Sequence, residues 1–238
     1  MQDTVAKPHP STIRPRDAAT LILVRRDGTV PRVMMGQRHR AHTFMPGKYV
    51  FPGGRVDPGD CRITPQLKLP EDVYRKLVVS MKGRPSRARA TGIALAAVRE
   101  TFEEVGLILG HPGKGPRTRN AAWQQFYATG HAPDLSSLRL LARAVTPPGR
   151  PRRFDTRFFM TEAENLANLD APVKLDTDEI LTPRWVSIDD AMQLDVPNIT
   201  GRVLQRLEKI LACKDPFGSQ RPVSYQYMRG SRWHYETL

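Results

Sequence analysis

The stretch Arg99-Glu100-Thr101-Phe102-Glu103-Glu104-Val105-Gly106-Leu107 constrains this chain more than any other. At about 100° per residue, a helix places Glu100, Glu103 and Glu104 in one narrow sector and Leu95, Val98, Phe102 and Val105 roughly opposite. Such a helix must lay its apolar side on another layer and turn its carboxylates elsewhere. Gly106 directly follows it, where a C-terminal glycine cap is expected, so the spacing predicts a helix over 86–105. Upstream, Phe51-Pro52-Gly53-Gly54 reads as a turn whose paired glycines let the main chain approach a ligand. The order is strand, glycine turn, acidic helix, glycine stop.

Like charges at these helical spacings repel by a few tenths of a kcal/mol, about as much as an opposite pair gains. A divalent cation reverses that sign. Mg²⁺ takes hard oxygen ligands, keeps several waters and is commonly held by a few carboxylates together with substrate phosphates. Ala96 and Ala97 lie near the acidic sector, which suggests room for a bulky substrate. A solvated acidic face is the ordinary reading of three glutamates alone; the glycine turns on both sides favour the metal.

From Arg99 through Leu107 the chain resembles the Nudix hydrolases, whose signature pairs a glycine and a following glutamate with R-E-U-x-E-E-x-G-U, U being a bulky apolar residue. Thr101 is a weak stand-in at the first U. The first half departs: counted from Gly54, Asp60 replaces the glutamate, and an insertion of about thirty residues separates it from Arg99. The entry Gly53-Gly54-Arg55-Val56-Asp57-Pro58-Gly59-Asp60 and the later Arg153-Phe154-Asp155-Thr156-Arg157-Phe158-Phe159 are similar to the coenzyme A diphosphatase branch. The resemblance runs from about Ala18 to Leu194.

It implies an α/β/α sandwich with a mixed sheet and an inserted helical segment inside the signature. It implies Mg²⁺ or Mn²⁺ held by Glu100, Glu103, Glu104 and the Gly53 carbonyl, with Arg99 orienting a glutamate. Asp60 would be either a ligand or a structural residue at the mouth of the insertion. In some members a glutamate six residues ahead of a tryptophan serves near the attacking water; Glu179 stands at that spacing from Trp185 and is the first candidate for base or extra metal ligand, with Asp178 and Asp176 as alternatives. The implied reaction is hydrolysis of a diphosphate joining a nucleoside to another group. The branch favours CoA or acyl-CoA, giving 3′,5′-ADP and a 4′-phosphopantetheine. ADP-ribose, NADH, dinucleoside polyphosphates and oxidised nucleotides are alternatives, as is a silent module that binds a phosphometabolite or RNA.

Charge supports an anionic partner. With 37 basic against 24 acidic residues, the 238-residue chain carries +13, and a field of that sign attracts phosphorylated metabolites or RNA. No basic stretch is interleaved with stacking aromatics, so nucleic acid is the weaker reading. Arg38, beside His39, Arg40 and His42 ahead of the glycine turn, is placed to contact phosphate. Arg153 and Arg157 fall on one face of an alternating strand and form a second candidate phosphate grip. Trp123, Phe126 and Tyr127 share a helix and read as core packing.

The rest of the chain reads as one domain over 17–213, with the insertion at about 61–86, a flexible arm over 1–16 and a basic tail over 214–238. Strands are predicted over 18–26 and 31–38, around Asp27-Gly28, and over 48–51, 138–145, 153–161 and 184–187. Helices are predicted over 70–81, 120–129, 188–194 and 198–212. Hydrophobic content of 39% suffices for a core, but no apolar run spans a bilayer. Cys61 and Cys213 lack a metal-ligand spacing and read as free thiols in a reducing, cytoplasmic setting. The resemblance leaves a homodimer open, through the inserted helix or the tail.

Overall fold

The structure is a computed structural model and describes residues 13–41, 45–173, 180–219 and 221–238. In chain order, β1 (Arg16–Arg25), β2 (Arg32–Arg38), β3 (Tyr49–Val50) and β4 (Gly53–Arg55) precede α1 (Glu71–Val78) and α2 (Arg87–Val105). There follow β5 (Gly110–Pro112), α3 (Ala121–Ala128), β6 (His131–Pro133), β7 (Arg139–Val145) and β8 (Phe154–Glu162). The chain closes with β9 (Ile180–Ser187), α4 (Ile188–Gln193), α5 (Asn198–Leu211), β10 (Ser224–Arg229) and β11 (Arg232–Thr237).

β1 is the axis of the molecule. Its sequence is a near-continuous apolar run because both faces are covered, as expected of a strand paired in parallel inside a layered fold. It runs parallel to β8 from Arg16 opposite Phe154 to Val24 opposite Glu162. Leu21 and Leu23 face a core shared with α1, α2 and α3, whereas Ile22 and Val24 face a second core with residues of α4 and α5. Helices on both sides of a mixed sheet make the expected three-layer sandwich.

The sheet splits beside β1. β1 and β2 pair only at Val24–Val33 and Arg25–Arg32. Farther from that hairpin they diverge, and residues 49–55 fill the gap: β3 pairs β2, while β4 pairs Ala18, Ala19 and Thr20 of β1. The glycine turn is thereby wedged into the sheet beneath α2. At the hairpin, Asp27 accepts from Arg25 and Arg32, each at 2.6 Å, closing the loop between β1 and β2.

Helix limits follow their sequence signals. Ser86 caps α2 by accepting from Arg89 N–H at 3.2 Å, and Gly106 ends it in the left-handed conformation at φ 74°. α1 lies between the glycine turn and α2, with Val73 and Leu77 in the core. Trp123 and Phe126 of α3 are fully buried, as read.

Three expectations are corrected. Residues 214–238 are not a tail outside the domain: β10 pairs in parallel with β7 and β11 pairs with β10, joined by a two-residue turn at Gly230-Ser231. Alternating Tyr225, Tyr227, Trp233 and Tyr235 carried that strand signal. Ala96 and Ala97 leave no room for substrate, since both are fully buried in the core beneath α2, where small side chains allow close packing. The arm's end is held: Arg16 opens β1, and Ile13 O accepts from Arg153 at 2.7 Å. The β5–β6 pair was not foreseen.

Candidate active site

Three glycines mark how tightly α2, the glycine turn and their neighbours are packed. A Cβ on Gly92 would lie 2.5 Å from Cys61 Sγ. Gly53, at φ 156°, could carry no Cβ without meeting Ala19 O at 2.5 Å. A Cβ on Gly54 would lie 2.4 Å from Glu100 Cδ. The Glu100 carboxylate therefore occupies a cradle that any other residue at position 54 would fill. Glu104 reaches the same turn, its Oε2 accepting from Gly53 N–H at 2.8 Å. Paired glycines thus bring main chain and carboxylates together.

Arg99 holds the group in place. Its Nη1 lies 2.9 Å from Glu100 Oε1 and 2.5 Å from Glu103 Oε2, its Nη2 donates to Arg55 O at 2.9 Å, and Nε and Nη2 grip Asp60 at 2.9 and 3.1 Å. Burial alone would lower the guanidinium's pKa, but the Asp60 hydrogen bonds and the Glu100, Asp60 and Glu103 contacts hold it well above its usual value. A charge fixed in this way orients the glutamates, as the sequence suggested.

Of the two roles open to Asp60, its contacts are those of the structural one. It is fully buried, and its oxygens also accept from Trp123 Nε1 and Asp57 N–H, both at 2.8 Å. All four bonds serve to orient Arg99 and to tie α3 to the turn. Trp123 as the partner of this acid was not foreseen; residues so far apart in sequence leave no local signal.

Arg99 pairs here with Asp60, Glu100 and Glu103, and Glu104 binds the same turn, so carboxylates outnumber the guanidinium in this group of described residues. A hard divalent cation fits that excess, with carboxylates and the glycine-turn backbone as oxygen donors. Among the described residues no three acidic, imidazole or thiol side chains close into a ready-made cage, and a cation that keeps several waters needs none. Glu103 is the glutamate most open to solvent, at 38% side-chain exposure against 13% for Glu100.

The site opens into a broad cleft of about 2240 Å³ lined by Gly53, Gly54, Glu100, Arg38, Lys48 and Arg55. Arg38, at the end of β2, has a buried Nε with no hydrogen-bond partner among the described residues. Lys48 pairs with Asp195. Lys48 and Arg55 were not singled out from sequence, although they bracket the glycine turn, and that adjacency was a usable signal. Arg150, Arg152 and Arg153 line another wall of the cleft. Arg153 is tied down there, donating to Thr146 O at 3.1 Å and Ile13 O at 2.7 Å.

Arg157 is corrected from a phosphate ligand to a core residue. Alternation along β8 sends it inward with Asp155 and Phe159, and it is 0% exposed. It donates to Asp17 Oδ1 at 2.6 Å, and Asp155 is gripped by Arg143 Nε and Nη2 at 2.8 and 2.7 Å. Burial pulls the Arg157 pKa below its usual value, against the opposing charges of Asp155 and Asp17. Glu179, Asp176, Asp178 and His42 lie outside the described residues. Both cysteines are free thiols, and burial raises the Cys61 pKa.

Comparison with known proteins agrees with this geometry. No family model matches the chain. A Caenorhabditis elegans protein named nudix hydrolase 7 is 26% identical over 194 residues, covering 72% of this chain and 51% of that protein. The Gallus gallus acyl-coenzyme A diphosphatase NUDT19 is 26% identical over 207 residues, covering 66% of this chain and 54% of that protein. The chain thus spans about half the length of the curated relatives it matches. The crystal structure of a NUDIX hydrolase from Alicyclobacillus acidocaldarius superposes with a TM-score of 0.60 at 28% identity, covering 82% of this chain and 91% of the other. With the glycine turn, the acidic helix and the three-layer fold in place, the chain is similar to the Nudix hydrolases in both sequence and fold.

Proposed function

We propose that the chain is a metal-dependent pyrophosphohydrolase of the cytoplasm that splits a diphosphate linking a nucleoside to another group, with CoA or acyl-CoA as substrate and 3′,5′-ADP and a 4′-phosphopantetheine as products. The observation that carries the reading is the packing of Glu100 and Glu104 against the Gly53-Gly54 backbone at the mouth of a cationic cleft. The CoA assignment is supported by the split signature and by the name of the chicken relative.

Glu100, Glu103, Glu104 and the Gly53 carbonyl would hold Mg²⁺ or Mn²⁺. Such an ion, when bound, lowers the pKa of a water and offsets phosphate charge. Arg99 keeps Glu100 and Glu103 aimed, and Asp60 with Trp123 keeps Arg99 aimed. Arg38, Lys48 and Arg55 supply positive charge along the cleft to bind and orient the diphosphate; CoA carries a further 3′-phosphate, for which Arg153 with its neighbours Arg150 and Arg152 is the second anchor. Glu179 accepts the proton from the attacking water.

The test is product analysis by mass spectrometry on the parent and Glu103→Gln proteins with Mg²⁺ or Mn²⁺ and a panel of CoA, acyl-CoAs, ADP-ribose, NADH and dinucleoside polyphosphates. Release of 3′,5′-ADP by the parent alone is expected. Turnover confined to another substrate would discard CoA and keep the hydrolase. Absence of turnover across the panel, with salt-sensitive oligonucleotide binding, would replace hydrolysis with an RNA-binding role.

A further inference from the structure

Among the described residues, β11 forms an outer edge of the sheet and pairs with β10 alone. Its register against β10 is unbroken from Ser224–Thr237 to Arg229–Arg232, with no bulge and no proline to blunt the edge. Val223 and Leu238 exchange two hydrogen bonds, 3.0 Å and 2.9 Å. In an antiparallel ladder such pairs alternate, so 236, 234 and 232 also turn their amides toward β10. Trp233, Tyr235 and Thr237 therefore direct their N–H and C=O groups outward from the sheet.

We propose that this edge pairs with the same edge of a second copy, making a two-fold dimer with one continuous sheet. The sequence Arg232-Trp233-His234-Tyr235-Glu236 is complementary to itself when run antiparallel about His234. Arg232 then faces Glu236 of the other copy, Trp233 faces Tyr235, and each relation occurs twice, as a two-fold contact requires. The residues whose amides point outward, Trp233 and Tyr235, are the ones this register makes exchange backbone hydrogen bonds. A shift of one residue would set outward amides against inward ones.

Side chains reinforce the register. Trp233 and Tyr235 are stacked at 6.4 Å on one face and stand 42% and 62% exposed, large values for aromatic rings. Pairing would gather four rings into one cluster. Arg202 fixes Tyr235 from α5, its Nη1 donating to the phenol oxygen at 3.0 Å and its Cζ lying 5.5 Å from the ring. On the opposite face, two Arg232–Glu236 pairs supply local attraction between copies that each carry +13, and opposite charges directly across a ladder are favourable. An unrelated peptide would find the same open backbone but not this matched order of charges and rings. Trp233 also lines the cleft described above, so the dimer would close the cleft's far rim.

Sedimentation velocity on the full chain tests this. The parent should be a dimer in the micromolar range. Tyr235→Pro removes an outward N–H and no ladder bond to β10, a place where an edge strand tolerates proline; it should be monomeric with an unchanged far-ultraviolet circular dichroism spectrum. Glu236→Arg should weaken the dimer at least about tenfold by setting arginine against arginine, and adding Arg232→Glu should restore it. Should the proline variant unfold, the charge-swap pair decides. A parent that stays monomeric, a dimer indifferent to Tyr235→Pro, or a double variant no tighter than Glu236→Arg would overturn the proposal, as would parent assembly only in the presence of oligonucleotide.

Discussion

Two buried arginines organise this molecule, and they do so in opposite ways. Around Arg157, the charges nearly cancel: Arg89, Arg143 and Arg157 face Asp17 and Asp155, and the group is closed on itself by ion pairs, with Arg143, Asp155 and Arg157 buried and Asp17 and Arg89 at the cleft's edge. Around Arg99, carboxylates predominate: Asp60, Glu100 and Glu103 share one guanidinium, and Glu104 binds the adjoining glycine turn, at the edge of an open cleft. Both arginines were candidates from sequence, one for catalysis and one for substrate. The difference in stoichiometry separates them: a cluster of nearly matched charges has little to offer a ligand, whereas one rich in carboxylate oxygens suits a hard cation.

The largest effect should come from unbalancing the closed cluster. Asp155→Ala leaves Arg143 and Arg157 buried without their shared carboxylate, and loss of one partner from a buried ion pair costs about 3–5 kcal/mol. Denaturant unfolding should show that loss; a change below about 1 kcal/mol, the range of exposed pairs, would mean the cluster is hydrated and not closed. The open cluster should respond in the other currency. Glu103→Gln should lower turnover about 100-fold, with stability little changed because Glu103 is partly exposed. A variant as active as the parent would remove Glu103 from the chemistry.

Glu179→Gln comes next, with turnover reduced at least about tenfold. Activity within about twofold of the parent would move the base elsewhere, to Asp176 or Asp178. Arg38→Ala should act on binding, raising KM about tenfold while kcat stays within about twofold, the signature of lost ground-state contact. An equal fall in kcat and kcat/KM would instead place Arg38 on the reacting phosphate.

Most of this contrast was legible locally and part of it was not. Helix α2, its serine and glycine caps, the glycine turn and the sector of glutamates follow from spacing alone, because helical period and backbone permissiveness are short-range properties. Strands β1, β7 and β8 announced themselves by apolar runs. The fate of Arg157 did not, since alternation puts it on a face but does not say whether that face meets water or α2. Asp60 was ambiguous for a related reason: its partners Arg99 and Trp123 are distant in sequence, and only the folded chain shows its oxygens fully used. The C-terminal hairpin was hidden by composition, where charged residues among the aromatics masked a period-two pattern.

The smallest expected effect is a slope. Burial alone would raise the Asp17 carboxyl pKa, but the Arg157 charge and the hydrogen bonds from Arg89 and Arg157 hold it below the usual carboxylate value. A carboxylate with a depressed folded pKa contributes stability that is fully present above its unfolded value of about 3.9 and is lost as pH falls through the lower folded value. Asp17→Asn should therefore be less stable than the parent near neutral pH, and the gap should narrow as pH drops below about 4. Unfolding curves taken across that range read the gap directly. If it stays constant down to acid pH, the Asp17 contribution is packing and not charge, and the closed cluster would be held by shape where the open one is held by electrostatics.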